Sequence, residues 1–374
     1  WYNAQMIFNA QTDGATAQKA LKTAMELMGI EPSRPAHDAL GDAYNTALVA
    51  SKLDMAEGLR LYPDAGRILA SRMPNYKPPV DNNSPEALLH ECYDGFESKV
   101  ISPFIASYLK GETPNPCIEC NRHLKFGKML DKAIDEGFDY IATGHYARID
   151  FDEKSGRYLL KKGADESKDQ SYVLYPLTQH QLSHTLFPLG DITKDMARTL
   201  AEEMSFVNAR KHDSQDICFI PDGDYASFIE GRLDYTLPKG NFVSTDGTIL
   251  GEHQGIIHYT VGQRKGLGIA LGKPAFVHSK SAEDNTVVLG DNEGLFRREL
   301  TARDINLIAF ERLTQPLRCK ARIRYNAKEQ WATVTQTDEN HLHIVFDEPQ
   351  RAISKGQAVV LYDGDIVIGG GTIE

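Results

Sequence analysis

The sequence predicts a short helical front piece, an α/β core over its middle third and a β-rich tail. Two observations carry this. From residue 128 a helical run, KMLDKAIDE, meets a capping Gly137, then the short apolar run FDYIAT, then Gly144-His145. That order is the rhythm of a parallel α/β sheet. Beyond about residue 235 the helical periodicity stops. There HYTVGQRKGLGI, PAFVHSK, NTVVLGD, QWATVTQ, HLHIVFD and QAVVLYDGDIVIGGGTI read as strands separated by turn residues. With 374 residues, 41% of them hydrophobic and 25% charged, the chain has room for two or three domains.

Taken in order, TAQKALKTAMELM sets Ala17, Leu21, Ala24, Met25 and Met28 on one helical face, with Gly29 as the cap. A second helix follows from about residue 38, where Leu40, Ala43, Ala47 and Ala50 share a face. The proline-rich run RMPNYKPPVDNNSP (72–85) reads as a linker. FESKVISPFIASYLKG, from Phe96, and TKDMARTLAEEM (193–204) read as helices. In open parallel sheets ligands sit at the carboxyl ends of strands, where Gly144 and His145 lie. No internal repeat or low-complexity segment stands out.

Composition excludes some classes. The net charge of −11 argues against a non-specific nucleic-acid coat. Three basic patches remain: RHLKFGK (122–128), GQRKG (262–266) and RCKARIRY (318–325). Each alone reads as a solvated face. No apolar run approaches the ~18 residues of a membrane helix. The start, WYNAQMIFNA, lacks the features of a secretion signal and an initiator Met, so a fragment or processed product is expected. The cysteines are Cys92, Cys117, Cys120, Cys218 and Cys319, sparse and odd in number, which favours a reducing cytoplasm.

The chemistry centres on TPNPCIECNRHLKFG (113–127), with Cys117 and Cys120 in C-x-x-C spacing. A structural zinc site wants four ligands, and a second pair is missing. A dithiol redox pair at a helix start is possible chemistry. A third reading joins Cys120 to the distant Cys218: one thiol carries sulfur as a persulfide and the other releases it by forming a disulfide. Cys218 alone, in DICFI, reads as a small buried hydrophobe.

TPNPCIECNRHLKFG, ATGHYAR, SKDQSYVLYPL, DSQDICFIPDGDYASFI, YTVGQRKGLGI and GQAVVLYDGDIVIGGGTI, in this order and spacing, resemble the tRNA-specific 2-thiouridylase (MnmA) family over about residues 96–374. The resemblance implies a PP-loop ATPase domain (adenine-nucleotide alpha-hydrolase-like), a small central β-rich domain and a C-terminal β-barrel. It implies a sulfurtransferase: ATP adenylates the 2-oxygen of the wobble uridine, and a persulfide attacks the activated carbon. By motif position Cys218 carries the persulfide and Cys120 forms a disulfide with it. Gly144 contacts ATP. Asn115, Pro116 and Cys117 line the target base. His145, Lys168, Asp169, Gln170, Arg324, Tyr325 and Gln357 touch tRNA. Magnesium is expected only as the ATP counter-ion, with no tightly bound metal. The implied partners are tRNA and a cysteine desulfurase or sulfur relay protein; a cytoplasmic monomer without membrane contact is expected.

The sequence departs from the family in two ways. The family's SGGVDSS phosphate loop is absent, and GLGIALGKP (266–274) fails the phosphate-loop pattern, with Pro274 where Ser or Thr is needed. ATP binding is therefore expected to be badly weakened and the chain alone poorly active, which leaves a tRNA-binding fragment as the alternative. The front, MELMGIEPSRPAHDALGDAYNTALV, resembles the closing helices of a DEDD-type 3′–5′ exonuclease. There His37 and Asp42 match a general base and a metal-binding Asp whose partners are missing. The expected division is an exonuclease-like remnant (1–60), a junction (61–95), a partial catalytic domain (96–235), a central tRNA-binding domain (236–298) and the barrel (299–374).

Overall fold

A computed structural model describes residues 95–204, 206, 209 and 217–374. The two front helices, the linker, His37 and Asp42 lie outside the described residues. The chain divides into two units. One holds Gly95–Met204 with Tyr225–Glu374; the other includes Ser205–Asp224.

In the larger unit, wide turns over Glu97–Ile101 lead into helix α1 (Ser102–Leu109). Helix α2 (Pro116–Cys120) continues through wide turns over Asn121–Lys128 into α3 (Met129–Asp135). Gly137, at φ +85°, ends α3 as expected: the Phe138 N–H donates to the Ala133 carbonyl at 2.9 Å. Strand β1 (Ile141–Ala142) follows. Its partner β4 (Thr185–Leu186) pairs with it in parallel, Ile141 against Thr185. The parallel sheet read from FDYIAT is thus present, with only two residues of the run in the ladder.

Between these strands lies a hairpin that the sequence reading did not anticipate, β2 (Ala147–Asp152) and β3 (Arg157–Lys162). Helix α4 (Gln179–Ser183) leads to β4. Thr178 and Gln181 form a reciprocal capping box at its start. Helix α5 (Lys194–Glu203), capped by Thr193, realises the expected TKDMARTLAEEM helix. Helix α6 (Tyr225–Glu230) opens the middle region.

The middle sheet contains β5 (Gly240–Ser244), β6 (Ile249–His253), β7 (Phe276–Ser281) and β8 (Thr286–Gly290), in the order β6-β5-β8-β7. HYTVGQRKGLGI is not a strand. Gly262, Gly266 and Gly268 all take positive φ, which breaks an extended run into loops.

The last region is built from β9 (Phe296–Leu307), β10 (Leu317–Arg322), β11 (Gln330–Gln336), β12 (Leu342–Arg351), β13 (Ala358–Asp363) and β14 (Ile366–Ile373). Its strand order closes on itself, because β13 pairs with both β10 and β14 while β9 pairs with β12 and β14. Closure removes the edges. Alternation sets the two faces: Cys319, Ala321, Ala332, Val334, Ile344 and Phe346 fill the interior.

The barrel is not a separate bead. The β2–β3 hairpin extends its sheet through Lys161 opposite Ile366. A second core runs from Ile118, Phe126 and Leu130 through Tyr172 and Tyr175 to Val360, Tyr362 and Val367 on the barrel exterior. Gly370 makes this approach possible. A Cβ there would stand 2.5 Å from the Val359 carbonyl oxygen and 2.8 Å from the Tyr175 ring. Among the described residues no helix is long and apolar enough to cross a membrane.

Candidate active site

The C-x-x-C pair sits on the first turn of α2. Asn115 is extended (φ −111°, ψ 99°), and its side-chain oxygen accepts from the Cys117 N–H at 3.1 Å. Pro116 takes the first helical position, where its missing N–H costs nothing. Asn-Pro-Cys is therefore a helix cap as well as a sequence motif. The cap fixes Cys117 and Cys120 one turn apart on the same side. Both thiols are free, Cys117 exposed and Cys120 half-buried. Burial pushes both thiols up, and the Lys125 ammonium pulls both back toward the thiolate.

Lys125 also reaches His145. Its Nζ lies 3.5 Å from His145 Nε2, while His145 Nδ1 lies 2.7 Å from Thr143 Oγ1. Burial, then the Lys125 charge, lowers the imidazole pKa to about 3, so the ring is neutral. An ammonium donating to Nε2 assigns the ring proton to Nδ1, which then donates to Thr143. Phe126 and Phe187 flank the ring at 5.7 and 5.8 Å. Gly144 precedes it at the carboxyl end of β1 and is exposed. A Cβ at Gly144 would meet only Leu189, at 3.7 Å, so that face of the backbone is open to a ligand.

The Lys168–Gln170 turn is tied into this centre. Gln170 exchanges two hydrogen bonds with the Tyr146 backbone, next to His145: its side-chain oxygen accepts from the Tyr146 N–H, and its own N–H donates to the Tyr146 carbonyl. Asp169 is buried, and its carboxylate accepts from the Gly163 and Ser171 N–H groups and the Ser171 hydroxyl. Arg322 stands 3.6 Å from it. That carboxylate is occupied within the protein, whereas Lys168 is only partly buried.

The barrel supplies the other wall. The Tyr325 hydroxyl donates to the Asp169 carbonyl at 3.2 Å, and burial, with the Asp169 carboxylate nearby, raises the phenol's pKa. Gln357 Nε2 donates to the Thr113 carbonyl at 2.7 Å, and the Thr113 N–H donates to the Lys355 carbonyl. These bonds clamp the start of TPNPC to the barrel. Arg324 is exposed and bonded to the Arg351 carbonyl. A cleft of about 190 Å³ lies beside α2, lined by Asn115, Pro116, Glu119, Arg122, Tyr175 and Arg303 among others.

Asn115, Pro116, Cys117, Cys120, Gly144, His145, Lys168, Asp169, Gln170, Arg324, Tyr325 and Gln357 thus belong to one unit. Cys218 belongs to the other unit, exposed on a turn closed by the Ile220 N–H and the Ile217 carbonyl at 2.8 Å. Lys125 and Thr143 were not singled out from the sequence. The available signal for Lys125 was its place in the basic run directly after the cysteines.

Comparison with known proteins decides the family. Residues 86–222 match the family described as tRNA methyl transferase HUP domain. Residues 226–291 match the tRNA methyl transferase PRC-barrel domain, and 297–373 the aminomethyltransferase beta-barrel domain. The tRNA-specific 2-thiouridylase MnmA of Clostridioides difficile (strain 630) is 56% identical over 279 residues, covering 75% of this chain and 77% of the relative. The chain belongs to the MnmA family. The MnmA of Acetivibrio thermocellus is 56% identical over 281 residues (75% of this chain, 78% of the relative), and that of Moorella thermoacetica 55% over 281 residues (75% and 79%). The MnmA architecture of HUP domain, PRC-barrel and closed β-barrel is the fold class expected from the sequence. The exonuclease-like resemblance gains no support: His37 and Asp42 precede every matched span.

Proposed function

We propose that the chain performs tRNA 2-thiolation, the ATP-dependent transfer of sulfur from a cysteine persulfide to C2 of the wobble uridine. The observation that carries this reading is the thiol turn of α2 in one unit with the Lys125 ammonium, 3.5 Å from the neutral His145, and with a barrel wall of Tyr325 and Gln357. The relatives at 55–56% identity are named tRNA-specific 2-thiouridylases, which supports the thiolation reading.

The uridine 2-oxygen attacks the α-phosphorus of ATP, and pyrophosphate leaves. The terminal sulfur of a Cys218 persulfide attacks C2 and expels AMP. The Cys120 thiolate attacks Cys218 Sγ, so a Cys120–Cys218 disulfide forms and the transferred sulfur stays on the base. A thiol reductant then restores both cysteines. The base, flipped out of the anticodon loop, lies against Asn115, Pro116 and Cys117. Gly144 lies against the nucleotide, with magnesium as the ATP counter-ion. His145, Lys168, Asp169, Gln170, Arg324, Tyr325 and Gln357 hold the tRNA, Asp169 by fixing the turn rather than by its own carboxylate. A cysteine desulfurase or sulfur relay protein supplies the sulfur, and the chain works in the cytoplasm as a monomer.

No SGGVDSS-like run occurs in the 374 residues, so weak nucleotide binding and slow turnover are expected. The same observation favours a second reading, a tRNA-binding fragment without chemistry. The test uses unmodified tRNA, ATP, magnesium, a cysteine desulfurase and cysteine. Slow formation of 2-thiouridine, lost in Cys218→Ser, supports thiolation. Bound but unmodified tRNA supports the second reading, and tRNA that does not bind overturns both.

A further inference from the structure

The basic run RCKARIRY has a use beyond Arg324 and Tyr325. In β10, Cys319 and Ala321 point into the barrel, so Arg318, Lys320 and Arg322 share the outer face. The outer face of β13, next in the sheet, is buried against the α/β part through Val360 and Tyr362. The face of β10 therefore borders the seam between barrel and α/β part. It continues into the site, because Arg322 stands 3.6 Å from Asp169.

Trp331 on β11 lies directly opposite Lys320 and is 48% exposed. A singly exposed apolar residue needs no explanation. This one has two cations near it: the Arg318 guanidinium lies 5.1 Å from its ring centroid and the Lys320 ammonium 5.6 Å. The nearby carboxylates are already held. Asp347 takes both arms of Arg318, Glu329 takes Lys162 at 2.5 Å, and Asp169 faces Arg322. Lys320 has no ion-pair partner among the described residues. An ammonium without a carboxylate partner beside an exposed indole, on a chain of net charge −11, fits a polyanion with unstacked aromatic bases.

We propose that the outer face of β10 and β11, centred on Lys320 and Trp331, is a second docking surface for the tRNA. Lys320 meets a backbone phosphate, and the Trp331 ring stacks on an unpaired base other than the reacting uridine. The proposal rests on tRNA being the substrate, and it extends the interface along the barrel, away from the thiols.

The chain has two tryptophans, Trp1 and Trp331, so in a Trp1→Phe background the indole emission reports position 331 alone. Titration with an unmodified, full-length tRNA transcript carrying U at the wobble position is expected to quench that emission, with saturation matching anisotropy of labelled tRNA. Trp331→Ala is expected to weaken binding about tenfold, with Trp331→Phe retaining most of it. Lys320→Gln is expected to lower the slope of log K against log salt by about 1. Unchanged emission on binding, together with wild-type affinity and salt slope in the Trp331→Ala and Lys320→Gln variants, would overturn this surface and leave the thiolation reading standing. Failure of the parent chain to bind tRNA would overturn both.

Discussion

Lys125 Nζ stands 3.5 Å from His145 Nε2, although the two residues are 20 apart in sequence. A lysine against a histidine is tolerable because burial already keeps the imidazole neutral. The neutral ring can then accept from the ammonium rather than repel it. The same ammonium lowers both thiols of the C-x-x-C turn. Burial is the larger influence on all three groups, and this one cation acts on each of them: it adds to the lowering at His145 and opposes the rise at the two thiols.

The pH dependence follows with a definite sign. Histidine in the unfolded chain takes its proton near 6.5, whereas His145 in the folded chain does so only near 3. Its contribution to stability is therefore complete above pH 6.5 and is lost as pH falls toward 3, at no more than about 1.4 kcal/mol per pH unit. Urea unfolding at a series of pH values checks this: His145→Gln is expected to flatten the slope between pH 6 and pH 4.

Lys125→Met is expected to move the alkylation midpoints of Cys117 and Cys120 to higher pH, since the pull toward the thiolate is gone. Lys125→Arg keeps the charge and is expected to hold the midpoints near their original place. Iodoacetamide labelling across pH, read by peptide mass spectrometry, makes the comparison. It does not depend on ATP or tRNA.

Asn115→Ala removes the side chain that caps α2. The expected cost is about 1 kcal/mol of stability, with Asn115→Asp recovering most of it. Denaturant midpoints measure both. A loss confined to tRNA binding, with no change in stability, would show that the cap is not what the residue supplies.

Lys168 and Asp169 are neighbours with opposite expected behaviour. Asp169→Ala takes the acceptor from two backbone N–H groups and leaves the Ser171 hydroxyl only the Tyr362 hydroxyl at 3.4 Å, so stability falls by roughly 2–4 kcal/mol. Lys168→Ala is expected to cost much less stability than Asp169→Ala and to weaken tRNA binding. Parallel melting curves and binding titrations separate the two.

How much of this was legible in the sequence differs by feature. The parallel strand before Gly144-His145 was, because a short apolar run between a capped helix and a Gly turn has few alternatives. The β13–β14 hairpin was legible from VVLYDGDIVIGG, where Gly364 turns the chain at φ +59°. The β2–β3 hairpin was missed because ARIDFD and RYLLKK bury little and carry charge at nearly every turn. Its place is set by β14, some 200 residues later. HYTVGQRKGLGI was over-read because its apolar residues suggest a strand while its glycines choose loops. Gln357 on Thr113 and Tyr325 on Asp169 are contacts between distant parts of the chain, and no local pattern encodes them.

The central claim is tested most directly by a single-turnover reaction. The chain is loaded with persulfide, mixed with unmodified tRNA and saturating ATP, and the tRNA is digested for nucleoside mass spectrometry. Slow appearance of 2-thiouridine at the wobble position, dependent on ATP and absent in Cys218→Ser, is the expected result. Thiouridine that persists in Cys218→Ser, or bound tRNA that emerges without thiouridine, would contradict it.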